Sequence, residues 1–178
     1  MRRILISAFV FAMSGVASAT VLVPTDLGEL SRDARAIARG RIVAVDAQWT
    51  EGRRTIETIV TLQTETYLKG QLGNTVQFRV PGGSLGRYRN IVVGAPQFLV
   101  GQRVILFLGA RGPMVPYVLG LSQGVFRLAQ TGGGEWMVTP PAVLPTMQGP
   151  IVRGNLSLRP TPLADFEREV HALAGGPQ

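Results

Sequence analysis

The sequence contains no cysteine, and His171 is its only histidine in 178 residues. Without a thiol there is no disulfide framework, thiolate metal site, thiol nucleophile or lipid-modified cysteine. One histidine excludes a His-rich zinc site and leaves at most one imidazole base. Charge is sparse as well, at 16% of residues, against about 25% in an average domain. Lys69 is the only lysine among 18 basic residues, so arginine carries the basic balance. Gly (22) and Pro (12) are frequent but fall short of the roughly 25–30% combined share that marks disorder. What is present is enough chain for one domain with a real core, with a formal net charge of +7.

Residues 1–19 have the layout of a secretory signal. Arg2 and Arg3 open it, residues 4–16 are almost continuously apolar, and Ala17-Ser18-Ala19 supplies small residues for cleavage. The apolar run is short of the about 20 residues that span a bilayer. Cleavage after Ala19 is expected, giving a mature chain from Thr20 that is secreted or periplasmic and has no membrane span. Losing two arginines lowers the net charge from +7 to +5.

A helix is expected first, capped by Thr25 or Asp26, with Leu27, Leu30, Ala34 and Ile37 at helical intervals, and Gly40 either ends it or marks the entry to a strand. A strand over 41–49 follows, then a turn at Glu51-Gly52-Arg53-Arg54. From Ile56 the pattern alternates through Thr58, Val60 and Leu62, the signature of a long antiparallel strand with one wet face. Residues 76–80 alternate again, and 85–98 form a Gly- and Arg-containing connection around a short strand at Ile91-Val92-Val93. The run Arg103-Val104-Ile105-Leu106-Phe107-Leu108 is the most apolar after the leader and belongs at the sheet centre. Strands over 117–121, 124–129 and 135–138 complete the set.

Six prolines between 139 and 162 forbid a regular helix or central strand. Residues 139–161 are therefore expected to lie extended over the barrel or to be partly disordered. A final helix over 162–174, capped by Thr161, carries the stripe Leu163, Phe166, Val170 and Leu173 and packs on the preceding domain. The expected organisation is a leader (1–19), a β-barrel domain (20–138), the Pro-rich segment (139–161) and the terminal helix. The fold class is mainly β, a small OB-like barrel with one helix at each end.

Three segments together carry a resemblance. They are residues 35–45 leading from helix to strand, Thr66-Tyr67-Leu68-Lys69-Gly70 closing the second strand, and residues 98–108 opening a central one. Their order resembles the netrin-like domain of tissue inhibitors of metalloproteinases, and more closely a set of uncharacterised secreted bacterial proteins on that plan. The match covers roughly residues 26–130 and implies an OB-type barrel. In those inhibitors a mature N-terminal cysteine chelates the protease zinc. Here Thr20-Val21-Leu22-Val23 stands at that place, so no functional residue is carried over.

Gly82-Gly83-Ser84-Leu85-Gly86 matches the G-x-S-x-G nucleophile pattern, with Asp165 and His171 following in hydrolase order. That motif needs a helix after its serine, and residues 87–92 have no helical period. Asp165 and His171 stand six apart on one helix, about 240° around it, so they do not pair readily. A flexible hairpin loop is the better account, and His171 reads as a solvated side chain near a helix C-terminus. The carboxylates are scattered without calcium-loop spacing. Arg79, Arg87 and Arg89 with Tyr88 form the one basic–aromatic cluster, of the kind that binds anionic polymers on OB barrels.

The expected function is therefore an exported, non-catalytic binding module with no metal and no cofactor. It would act by protein–protein contact, on an exported protease among other partners, using residues 81–98. The candidate binding residues are Arg79, Ser84, Arg87, Tyr88 and Arg89. Two alternatives stand beside it: a small serine hydrolase using Ser84, and an envelope component that holds acidic polymer through the same loop. A nucleic-acid partner is not expected.

Overall fold

A computed structural model describes residues 25–50, 52, 54–110, 112, 114–141 and 159–175. The expected leader, most of the Pro-rich segment and within it Asn155-Leu156-Ser157, whose Asn-x-Ser spacing fits a glycosylation sequon, lie outside these residues. The described chain is mainly β, with one helix near each end.

Helix α1 (Leu27–Asp33) starts where Asp26 accepts the Glu29 backbone N–H at 2.7 Å, satisfying one of the free donors of its first turn. It ends earlier than the spacing suggested. Strand β1 (Ala36–Trp49) begins at once, so Ile37 and Gly40 belong to it rather than to the helix. Gly40 serves close approach: a Cβ there would overlap the carbonyl oxygen of Gln63 on the neighbouring strand. The lone lysine closes α1 from outside, with Lys69 Nζ donating to the carbonyls of Ser31 and Arg32, each at 2.8 Å.

Strand β2 (Ile56–Lys69) returns antiparallel to β1, and β3 (Thr75–Pro81) returns antiparallel to β2. A short hairpin follows, β4 (Gly83–Leu85) with β5 (Tyr88–Asn90), forming a separate two-stranded sheet. After an irregular connection come β6 (Arg103–Gly109), β7 (Tyr117–Val118), a 3₁₀ turn (Leu121–Gly124), β8 (Val125–Gln130) and β9 (Trp136–Thr139). The strand expected over 117–121 thus stops after two residues, and Leu121 takes φ 55 as the chain turns. Strand β10 (Thr161–Pro162) pairs with β9, and helix α2 (Leu163–Ala174) ends the described chain. Thr161 is not its cap. It is held extended against Val138, and Pro162 occupies the cap position.

The main sheet runs β1-β2-β3-β7-β6-β8-β9-β10, and β1 also pairs with β6. One edge of β6 meets β1 from Arg103 to Leu108. Its other edge is shared by β8, at residues 103–106, and β7, at Leu108 and Gly109. Strand β3 meets β7 in parallel, at Arg79 and Tyr117.

Strand β6 is central for a reason visible in its composition. Val104, Leu106 and Leu108 join one apolar cluster with Ile42, Val60, Leu62, Phe78 and Phe98. Ile105 and Phe107 face the other way, into a cluster with Leu30, Phe126, Phe166 and Val170 that both helices cover. A strand buried on both faces reads as a continuous apolar run. Strand β3, wet on one face, instead alternates strictly between exposed and buried.

Candidate functional site

The Ser84 segment is a β-hairpin, not a strand–helix elbow. Ser84 pairs with Arg89 and Leu85 with Tyr88 across a two-residue turn, Gly86-Arg87. Gly86 has φ 58, and glycine in the first turn position followed by an ordinary residue suits a tight hairpin turn. The chain after Ser84 is therefore a returning strand. Asp165 pairs with Arg168 at 2.9 Å one turn along α2, and His171 lies exposed on the same helix.

Because strand side chains alternate, the hairpin has two faces. Leu85, Tyr88 and Asn90 share one, which rests on the β1–β2 arm. Tyr88 meets Trp49 edge to face with ring centroids 5.3 Å apart. A Cβ at Gly83 would touch Thr58 Oγ1 and approach Ala47. Polar bonds fix the seat: the Thr58 hydroxyl donates to the Gly82 carbonyl at 2.7 Å, and the Asn90 side-chain amide to the Ile56 carbonyl at 3.3 Å. Arg87 lies over the Tyr88 ring, 5.1 Å from its centroid, and donates to its hydroxyl at 2.9 Å.

Ser84 and Arg89 take the opposite face. They border a cleft of about 340 Å³ whose walls include Thr58, Gly83 and Asn90 from the hairpin's seat, with Val45, Ile91 and Phe98. Both side chains are exposed, and Arg89 makes no ion pair among the described residues. Of the five candidate residues, Ser84, Arg87, Tyr88 and Arg89 therefore share one hairpin. Arg79 belongs elsewhere, on β3, and pairs with Glu57 at 3.8 Å.

The connection after the hairpin departs from expectation. Ile91-Val92-Val93 is not a strand, and Ile91 and Val93 stand 72% and 65% exposed. β-branched residues favour strands only where a pleated neighbour packs on them, and these two have none. The segment is nonetheless pinned. Phe98 is buried edge to face with Phe78 at 5.3 Å, the Gly94 carbonyl accepts from Ser122 at 2.9 Å, and Ile42 exchanges backbone bonds with Gly101 and Gln102 at 2.8 Å.

A second charged cluster serves the fold. Arg39 on β1 donates to Glu167 on α2 and, at 3.1 Å, to the Thr66 hydroxyl. Glu65 joins Arg39 to Arg103, whose guanidinium lies 4.8 Å from the centroid of Trp136. This partly buried chain of charges ties the terminal helix to the sheet. Spacing could not reveal it, because its members stand far apart in sequence.

Among the described residues no group of three or more His, Asp or Glu could hold a metal ion, and no helix is long and apolar enough to cross a membrane. No family model, no curated protein and no solved structure matches the chain.

Proposed function

We propose that the chain is a non-catalytic binding module, exported by way of residues 1–19, that engages an exported protein through the cleft face of the β4–β5 hairpin. The observation that carries this reading is the hairpin itself. Its inner face is spent on Trp49 and the β1–β2 arm, which holds Ser84 and Arg89 outward over a cleft. A solvated guanidinium with no ion partner among the described residues, set on a two-stranded support, suits recognition of an acidic or carbonyl-rich protein surface. The hydrolase reading loses its support where a strand follows Ser84, since a nucleophile elbow needs a helix there.

We also propose an OB-type barrel of netrin-like plan. The supporting pattern is that β1, β2, β3, β7 and β6 pair in succession and β6 pairs with β1, with β3 and β7 parallel. Inhibition of a protease on this plan would have to use the hairpin end, because the inhibitors' chelating cysteine has no counterpart.

The test uses the immobilised chain, the secreted fraction of its own host, and a panel of esters and peptides. Arg89→Ala is expected to weaken retention of the bound partner about tenfold, the scale of an interfacial anchor. Ser84→Ala is expected to leave the reactivity of the preparation toward the panel unchanged. Turnover that disappears in Ser84→Ala would replace the binding reading with the hydrolase one.

A further inference from the structure

Among the described residues, four of the seven large apolar side chains that stand exposed lie in the connection that follows the hairpin. Ile91, Val93, Leu99 and Val100, at 65–72% exposure, occupy one connection. Tyr88 precedes it, and Val43, bulged out of β1, adjoins the turn where Ile42 bonds to Gly101 and Gln102. Scattered exposed aliphatics are ordinary on any surface, but a cluster marks a contact. These are also held out by construction. Pro96 and Phe98 are buried in the same segment, and the backbone bonds to Ile42 and Ser122 fix it.

The 81–102 stretch that carries these side chains has no acidic residue of its own. From residue 66 to residue 134 the sequence has no Asp or Glu, while it carries Lys69 and six arginines. Arg89 lines the cleft beside Ile91, and Arg87 sits at the hairpin turn over Tyr88. At the other end Arg41 reaches the Gly101 turn, its Nη2 3.7 Å from where a Cβ on Gly101 would lie. Exposed aliphatics with an arginine at either end, on a stretch without acidic residues, match the interfacial layer of an anionic bilayer. Apolar groups enter the acyl boundary there, and guanidinium groups remain among the headgroups.

We propose that the 91–100 connection docks this protein on the surface of a membrane rich in anionic lipid, with Ile91, Val93, Leu99 and Val100 inserted and Arg41, Arg87 and Arg89 on the headgroups. This goes beyond the cleft contact and does not depend on it.

The absence of cysteine makes the test local. Single Val93→Cys, Leu99→Cys and Gly133→Cys variants of the full chain each carry an environment-sensitive fluorophore, and Gly133 lies on the separate β8–β9 turn. With vesicles of phosphatidylcholine and phosphatidylglycerol, the labels at 93 and 99 shift to the blue and the label at 133 does not. Vesicles of phosphatidylcholine alone give a smaller shift. Adding Arg87→Ala and Arg89→Ala lowers the partition onto anionic vesicles about tenfold or more. No shift at 93 and 99 on anionic vesicles overturns the proposal, and so does an equal shift at 133. Labels that respond to an exported protein but not to vesicles overturn it too, while leaving the contact reading of the cleft in place. The labelled positions are solvated in the folded chain, so the replacements do not disturb the core.

Discussion

Strand β6 and the 91–100 connection are neighbours in sequence and similar in composition, yet they are opposite in environment. Five consecutive residues of β6, Val104 to Leu108, are all 0% exposed. A few positions earlier, four aliphatics of the same kind stand mostly in water. Hydrophobicity alone does not separate the two. Pairing does: β6 has partners on both edges and apolar clusters on both faces, whereas the connection has only its Phe98 and Pro96 anchors turned inward. An apolar side chain kept in water by a pinned backbone is better explained by something outside the chain than by the fold.

The largest test of that contrast is Phe107→Ala. It removes a fully buried ring from the cluster under both helices and should destabilise the fold by about 3–5 kcal/mol. Chemical denaturation would read this as a lower midpoint at unchanged slope, and a loss below 1 kcal/mol would mean that the helices do not seal that face. Gly40→Ala comes next. The added methyl has no room against the Gln63 carbonyl, so β1 and β2 must shift, at about 1–3 kcal/mol. Retention of the wild-type melting temperature would show that the bulged register of β1 absorbs a side chain freely. The smallest effect is expected for Ile91→Ser, within about 0.5 kcal/mol of wild type. A larger loss would mean that the connection is part of the core, and the contrast would collapse.

Much of the architecture was legible in the sequence. The continuous apolar run marked β6 as central, and period two marked β2 and β3. Three features were not legible, each for a physical reason. Ile37 fits the helical stripe of α1 and a strand equally well, and Gly40 reads as a helix stop or a strand entry until the close approach of Gln63 is known. The hairpin loop at Gly82–Gly86 was read, but its two short strands were not, because Ser84 to Asn90 has little β-branched content. The hairpin's stability comes from Trp49 and Thr58, distant in sequence. Of the candidate residues, Ser84, Arg87, Tyr88 and Arg89 share the hairpin, and Arg79 stands on β3. Its partner Glu57 lies on another strand, and spacing says nothing of cross-strand ion pairs.

The pairing of β1 with β6 also sets an order of events. Ala36 meets Leu108 and Arg41 meets Arg103, so the strand that fills the free edge of β1 lies far downstream. The β1–β2–β3 meander can zip by local contacts, but the contact that completes it must close a long loop, which slows folding. A chain growing from its N-terminus therefore holds β1 with one unpaired edge until β6 has emerged. During that interval the edge is open to pairing with another copy. Truncations ending before residue 103 should consequently aggregate more readily than the full chain.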